Sequence, residues 1–333
     1  MTLRKIVLPT LLCAIFAHAQ LSPETVSPAG AEEAVAPLAV LMSCTGPVTV
    51  HHADGTTSKG VFGFALKAGD EVNTGDGGTA EILFEAGNWL QIGANSSIQI
   101  KGQRDAEPAR PPRTETIADG ETKNFEVVQN FLKLKDSEGT SVVMGLRSGP
   151  KDQDLVAVSP SQTKIRGGRP TFRWEIADPS TELRLTVYND TGVYWQDDVS
   201  GVTSLTYPAD APELAPGVTY SWTLETTDPL AFPPLRTQAA FFEVIGPDDE
   251  SSLDRALAQV DADKKLSEPS SHFIKASLYF NRGLLDEAIA ETKSALEKYP
   301  NNPSLQSILA RLYAEAGRNK EAMATYNRMI DKQ

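Results

Sequence analysis

Ala276-Ser277-Leu278-Tyr279-Phe280-Asn281-Arg282-Gly283-Leu284-Leu285-Asp286-Glu287-Ala288 and Ala310-Arg311-Leu312-Tyr313-Ala314-Glu315-Ala316-Gly317-Arg318-Asn319-Lys320-Glu321-Ala322 carry one pattern twice. Ala276 recurs as Ala310, Tyr279 as Tyr313, Gly283 as Gly317 and Ala288 as Ala322, each 34 residues on. A fixed period of this size marks stacked helical hairpins. The alanines let helices approach closely, the tyrosines fill the space between them, and the glycines permit the bend from one helix to the next. Pro300 closes the first copy, and a further helix over Leu253–Lys264 is expected to cover one end.

Small-aromatic-Gly-Ala in this order resembles the tetratricopeptide (TPR) repeat over about 269–330, within a helical domain at 248–333. In that family the concave face, lined by the first helix of each hairpin, binds extended peptides. The resemblance implies a partner-binding surface of Phe273, Ser277, Phe280 and Asn281 from the first repeat, with Ser307 and Arg311 from the second. Two repeats fall short of the roughly three that make a stable array. The last helix is therefore expected to pack on a partner, on a second copy, or on the neighbouring domain.

Upstream, the period changes from helical to two. Thr171–Glu175, Leu183–Tyr188, Val193–Trp195, Thr219–Leu224 and Ala240–Val244 read as short strands between turn signals. P-T-F-R-W and L-A-P-G-V-T-Y-S-W resemble a fibronectin type III or immunoglobulin-like β-sandwich over 154–246. The resemblance implies Trp174 and Trp222 in the core, and Tyr220 hydrogen-bonded back to the chain. Trp195, beside Asp197 and Asp198, reads as a loop residue and the best candidate for an exposed ligand platform.

From Val40, short alternations broken by glycine turns define another β-region, assigned to 38–149. G-x-V-x-V, then L-K-A-G-D-E-V-N-T-G-D-G-G-T-A-E-I-L-F and G-N-W-L-Q-I-G-A-N-S-S-I-Q-I, resemble the FecR-like domain of bacterial envelope proteins over about Gly46–Lys101. In the iron-uptake regulators of that family the domain takes part in periplasmic signalling. Arg104–Arg113 reads as an exposed loop, and Phe125–Leu146 as strands that close the domain. His51 and His52, adjacent in a strand, point to opposite faces and do not suit one metal. Asp70, Glu71 and Asp76 read as solvated turn acids without a calcium-loop pattern.

The start of the chain has Arg4 and Lys5, an apolar run Ile6–Phe16, and Ala17-His18-Ala19 before Gln20. That is the pattern of a secretory signal peptide over 1–19, followed by a Ser/Pro/Ala-rich leader over 20–37. Removing Arg4 and Lys5 from the 31 basic residues leaves 29 against 44 acids, a net charge of −15. Such a balance disfavours nucleic acid and anionic membrane surfaces as partners. Cys44 then has no intramolecular disulfide partner, and no stretch reaches a membrane-spanning length.

The sequence thus predicts a multidomain β + α protein: a FecR-like β-roll or sandwich, an immunoglobulin/fibronectin III-like β-sandwich, and C-terminal α-helical TPR hairpins. The expected role is a non-catalytic exported adaptor, in the periplasm or at the outer membrane or cell surface. It binds protein partners of the envelope, is not an integral membrane protein, carries no cofactor or metal, and can self-associate through the uncapped last helix. His51, His52 and His272 stand in no nucleophile motif. A FecR-like regulator or ligand sensor and a glycan-binding envelope protein are the alternative readings.

Overall fold

The computed structural model describes residues 37–101, 114–118, 122–136 and 154–330, apart from 86–88, 229, 231–233 and 265. The expected signal peptide, the leader up to residue 36 and the Arg104–Arg113 loop lie outside the described residues. What is described is a multidomain arrangement of mixed β-sheets and helices.

Among the described residues, nine strands belong to the first module: β1 Ala39–Thr45, β2 Val48–His51, β3 Thr57–Lys59, β4 Ala65–Leu66, β5 Glu71–Thr74, β6 Thr79–Phe84, β7 Trp89–Ile92, β8 Ser97–Gln99 and β9 Thr114–Ala118. They build two sheets, ordered β4-β1-β6-β7-β9 and β3-β2-β5-β8. Leu41, Val50, Val72, Ile82 and Ile98 form the core shared by the two. Strand β6 is buried on both faces. Ala80 and Ile82 point to the β-core, while Leu83 joins a second core made largely by helices.

That second core corrects the reading of Phe125–Leu146. Helix α1 spans Thr122–Asp136, and residues beyond it lie outside the described part. Phe125, Val128, Phe131 and Leu132 recur at spacings of three, three and one, which is one face of a helix rather than one of a strand. All four are buried in the helical core.

The second module has two facing sheets. One is β10 Leu155–Ser159, β12 Thr171–Ile176 and β15 Ser204–Thr206, in the order β10-β12-β15. The other is β11 Thr163–Ile165, β13 Leu183–Asn189, β14 Gly192–Val199, β16 Thr219–Thr226 and β17 Ala240–Val244, in the order β11-β17-β16-β13-β14. Phe172 of one sheet meets Trp222 of the other at 5.0 Å between ring centroids. Trp174 and Trp222 are both core residues, and the Trp222 Nε1–H donates to Pro160 O at 2.7 Å. The Tyr220 hydroxyl accepts the Ala215 N–H at 2.9 Å, the expected hydrogen bond back to the chain.

Five helices follow among the described residues: α2 Pro247–Ala262, α3 Glu268–Asn281, α4 Leu285–Lys298, α5 Pro303–Glu315 and α6 Asn319–Ile330. Pro269 and Pro303 sit at the starts of α3 and α5, where a missing N–H costs nothing, and Ser267 and Asn302 cap those helices with their side chains. Gly283 and Gly317 bend the two hairpins at φ +74 and +71, a region that disfavours residues with a Cβ. Ala276, Ala288, Ala310 and Ala322 are all fully buried.

The modules are welded rather than strung. The segment from Ser161 to Lys164 lies across both hairpin bends. Lys164 N–H donates to Gly283 O at 2.8 Å, and Leu285 N–H donates to Thr163 Oγ1 at 2.9 Å. At the second bend, Ser161 and Gln162 stand against Gly317. Ser159 Oγ donates to Asp286 at 2.6 Å, and Arg166 pairs with Asp254.

Candidate functional site

The face expected to receive a partner peptide is the inner face of α3 and α5, and the chain's own helix α1 packs on both. Phe131 of α1 lies 5.1 Å from Phe273 and 5.4 Å from Phe280, ring centre to ring centre. Phe62, just after β3, meets Phe273 edge-on at 4.8 Å. Phe131 and Phe273 are completely buried. Full burial contributes about 1.5–3 kcal/mol for each of these rings.

The structure therefore corrects the open-groove reading. Phe273 and Ser277 are sealed, and the Ser277 hydroxyl is spent on the Ile274 carbonyl at 2.7 Å. Phe280 is half-buried against α1, and Ser307 Oγ donates to the Lys135 carbonyl of that helix at 3.3 Å. Asn281 is exposed at the end of α3. Arg311 pairs along its own helix with Glu315 at 2.6 Å. Phe273, Phe280 and Ser307 are brought together; Asn281 and Arg311 are not drawn to them by any described contact.

Beside the groove a carboxylate is buried. Glu81, on β6, is 4% exposed, with Ser270 Oγ 2.7 Å and Ser267 Oγ 2.9 Å from its Oε2. Ser270 Oγ also lies 2.9 Å from Met42 O, so the start of α3 is stitched to β1 and β6. Burial pushes the Glu81 carboxyl above its ordinary range, against the pull of the two hydroxyls. On β1, Ser43 Oγ meets the Tyr299 hydroxyl at 3.0 Å. Burial, with Glu81 nearby, pushes the Cys44 thiol up to about 12.

Trp195 is a strand residue of β14, not a loop residue. It is half-buried, with its ring edge-on to Tyr207 at 5.0 Å. As a ligand platform it is already part-covered. A cleft of about 320 Å³ lies between Arg166, Arg169, Tyr207 and Glu213. Its guanidiniums are committed, Arg166 to Glu250 and Asp254 and Arg169 to the carbonyls of Pro208 and Ala209. Asp70, expected in water, is 3% exposed. No group of three or more metal-ligating side chains occurs among the described residues. No described helix is long and apolar enough to cross a membrane.

The model of the family described as Domain of Unknown Function (DUF928) matches residues 142–326. That is more than half of the 333 residues. The chain belongs to the DUF928 family. The DUF928 match takes in the second β-module and both hairpins but not α1, so the groove's occupant comes from outside the matched region. No curated protein matches the sequence. Among solved structures, a cell surface anchoring domain aligns over 20% of this chain and 86% of its own, at 26% identity and TM-score 0.19. A β-1,2-glucanase from Parabacteroides distasonis aligns over 87% of this chain and 58% of its own, at 9% identity and TM-score 0.22. A β-D-glucuronidase from Dictyoglomus thermophilum aligns over 86% and 61%, at 8% identity and TM-score 0.20. At these scores the likenesses carry no argument about fold or activity.

Proposed function

We propose that this DUF928 chain is an exported cell-envelope adaptor whose hairpin groove receives an amphipathic helix. The observation that carries the proposal is the seating of α1 on α3 and α5, with Phe131 against Phe273 and Phe280. This is helix-in-groove recognition, read as apolar anchors on one helical face. Here the anchors are Phe125, Val128, Phe131 and Leu132. The cis helix holds the groove, and a partner helix with the same spacing competes for it. Two β-modules fixed to the hairpins orient the groove for that exchange.

The test uses the full chain and a labelled synthetic peptide of residues 122–136. A variant with Phe125, Val128 and Phe131 all changed to alanine should bind the peptide at least tenfold more tightly than the natural chain does. Adding Phe280→Ala should weaken that binding. A variant that retains its helix signal yet takes no peptide overturns the proposal.

A further inference from the structure

The adaptor reading leaves one constellation unused. His52 follows β2 at the head of the hairpin that returns as β3. Its Nδ1 stands 3.0 Å from Asp70 Oδ1, and its Nε2 stands 2.8 Å from Ser58 Oγ. Asp70 Oδ2 accepts the Lys67 N–H at 2.8 Å, which fixes the carboxylate from its other side. An ionised carboxylate can only accept. With the ring neutral, its proton then sits on Nδ1, and the bare Nε2 faces the Ser58 hydroxyl. Phe64 stacks on the ring at 5.9 Å and restrains its tilt.

Strand register explains why these three residues meet. Val50 on β2 sits opposite Ser58 on β3 and opposite Val72 on β5. His52 is two residues beyond Val50, and Asp70 is two residues before Val72. Side chains two apart share a face, so all three stand together on one face across neighbouring strands. Asp70 is buried, Ser58 is half-buried, and the His52 side chain keeps 23% exposure. Ser58 is on the outer strand of its sheet. His52 N–H donates to Thr56 O and Gly60 N–H to Val48 O, so the ladder's alternation turns the intervening Lys59 N–H away from β2. The backbone donor directly after the serine thus faces the open edge, where the oxygen of an attacked carbonyl can be held.

We infer that Ser58, His52 and Asp70 form a nucleophile, base and orienting acid able to accept the acyl group of an ester. Ser58 Oγ attacks the ester carbonyl carbon as His52 Nε2 takes the hydroxyl proton. The carbon–alkoxy bond then breaks, and the leaving alcohol takes that proton from Nε2. Water, deprotonated by the same nitrogen, adds to the acyl carbon; the carbon–Oγ bond breaks, Nε2 returns its proton to Ser58 Oγ, and the acid leaves. Each step conserves protons and needs no oxidant or metal.

The full chain, treated with a fluorophosphonate probe, should become labelled at Ser58, located by peptide mass spectrometry. Ser58→Ala should lose that label, and His52→Gln should slow it at least a hundredfold. Asp70→Asn should slow it similarly by presenting the wrong tautomer, with the secondary-structure signal retained. A Ser58→Cys variant keeps the test independent of hairpin damage. Its alkylation by iodoacetamide should exceed that of Ser58→Cys with His52→Gln by tenfold or more. A folded chain without label at Ser58, or equal rates with and without His52, overturns the inference and leaves the three residues as a structural tie.

Discussion

Truncating Phe131 to alanine should measure how firmly α1 is held. The side chain has no exposed surface and touches rings on either side, Phe273 and Phe280. Removing a buried phenylalanine costs about 3–5 kcal/mol, because transferred surface is lost and a cavity is left. The two ring contacts account for about 0.5–1.5 kcal/mol each beyond area alone. At about 1.4 kcal/mol per tenfold, the unfolding constant of the helical part should rise by a factor of about 100 to 4,000. Urea titration followed by the far-ultraviolet helix signal gives the number. Asn130→Ala, an exposed neighbour on the same helix, is the control and should stay within about 0.5 kcal/mol. A cycle with Phe273→Ala should return a coupling of about 1 kcal/mol, since the two rings are in contact. If Phe131→Ala shifts the midpoint no more than Asn130→Ala does, or if the cycle is additive, α1 does not occupy the groove.

Burial raises the Glu81 carboxyl in the folded state above its ordinary 4.5, so the folded chain holds that proton longer than the unfolded one. Stability from this group should be greatest below about pH 4.5 and decline as pH rises through the raised value; Glu81→Gln should flatten that slope in pH-dependent urea titrations. Trp222→Phe should cost about 1–3 kcal/mol, because the Pro160 carbonyl loses its buried donor; thermal melts of the chain report it. Gly283→Ala should cost about 1–2 kcal/mol, since a left-handed bend then carries a Cβ near Lys164, and loosening there should speed proteolytic cleavage between the second β-module and the hairpins. With its thiol pushed up to about 12, Cys44 should resist iodoacetamide at pH 8 until the chain is unfolded, as residue-mapped alkylation will show.

Much of the architecture is legible from spacing. The offset of 34 between Gly283 and Gly317 places both bends, and alternation over Leu183–Tyr188 gives β13 almost to the residue. Phe125–Leu132 is apolar enough to read either way, and only attention to its spacing of three and four separates helix from strand. The groove itself is where local reading stops. Which side chains line the inner face of α3 follows from period, but what covers them is a contact with a helix more than a hundred residues earlier. Trp195 fails for a related reason: the acids after it suggest a loop, yet both are exposed residues of an edge strand, with Asp198 paired to Arg184 at 2.8 Å. Asp70 looks like an ordinary turn acid, and only strand register shows that His52 and Ser58 share its face.

Repeat arrays usually grow by duplication, because each unit answers only to its neighbours. This one has been given an outside gauge. A single stretch, Ser161–Lys164, touches the bends of both hairpins, and one helix on the opposite side bridges both inner helices. Slipping an extra unit between them would carry the second bend out of reach of the first one's clasp and leave α1 straddling the wrong pair. The two hairpins are thereby fixed against insertion between them.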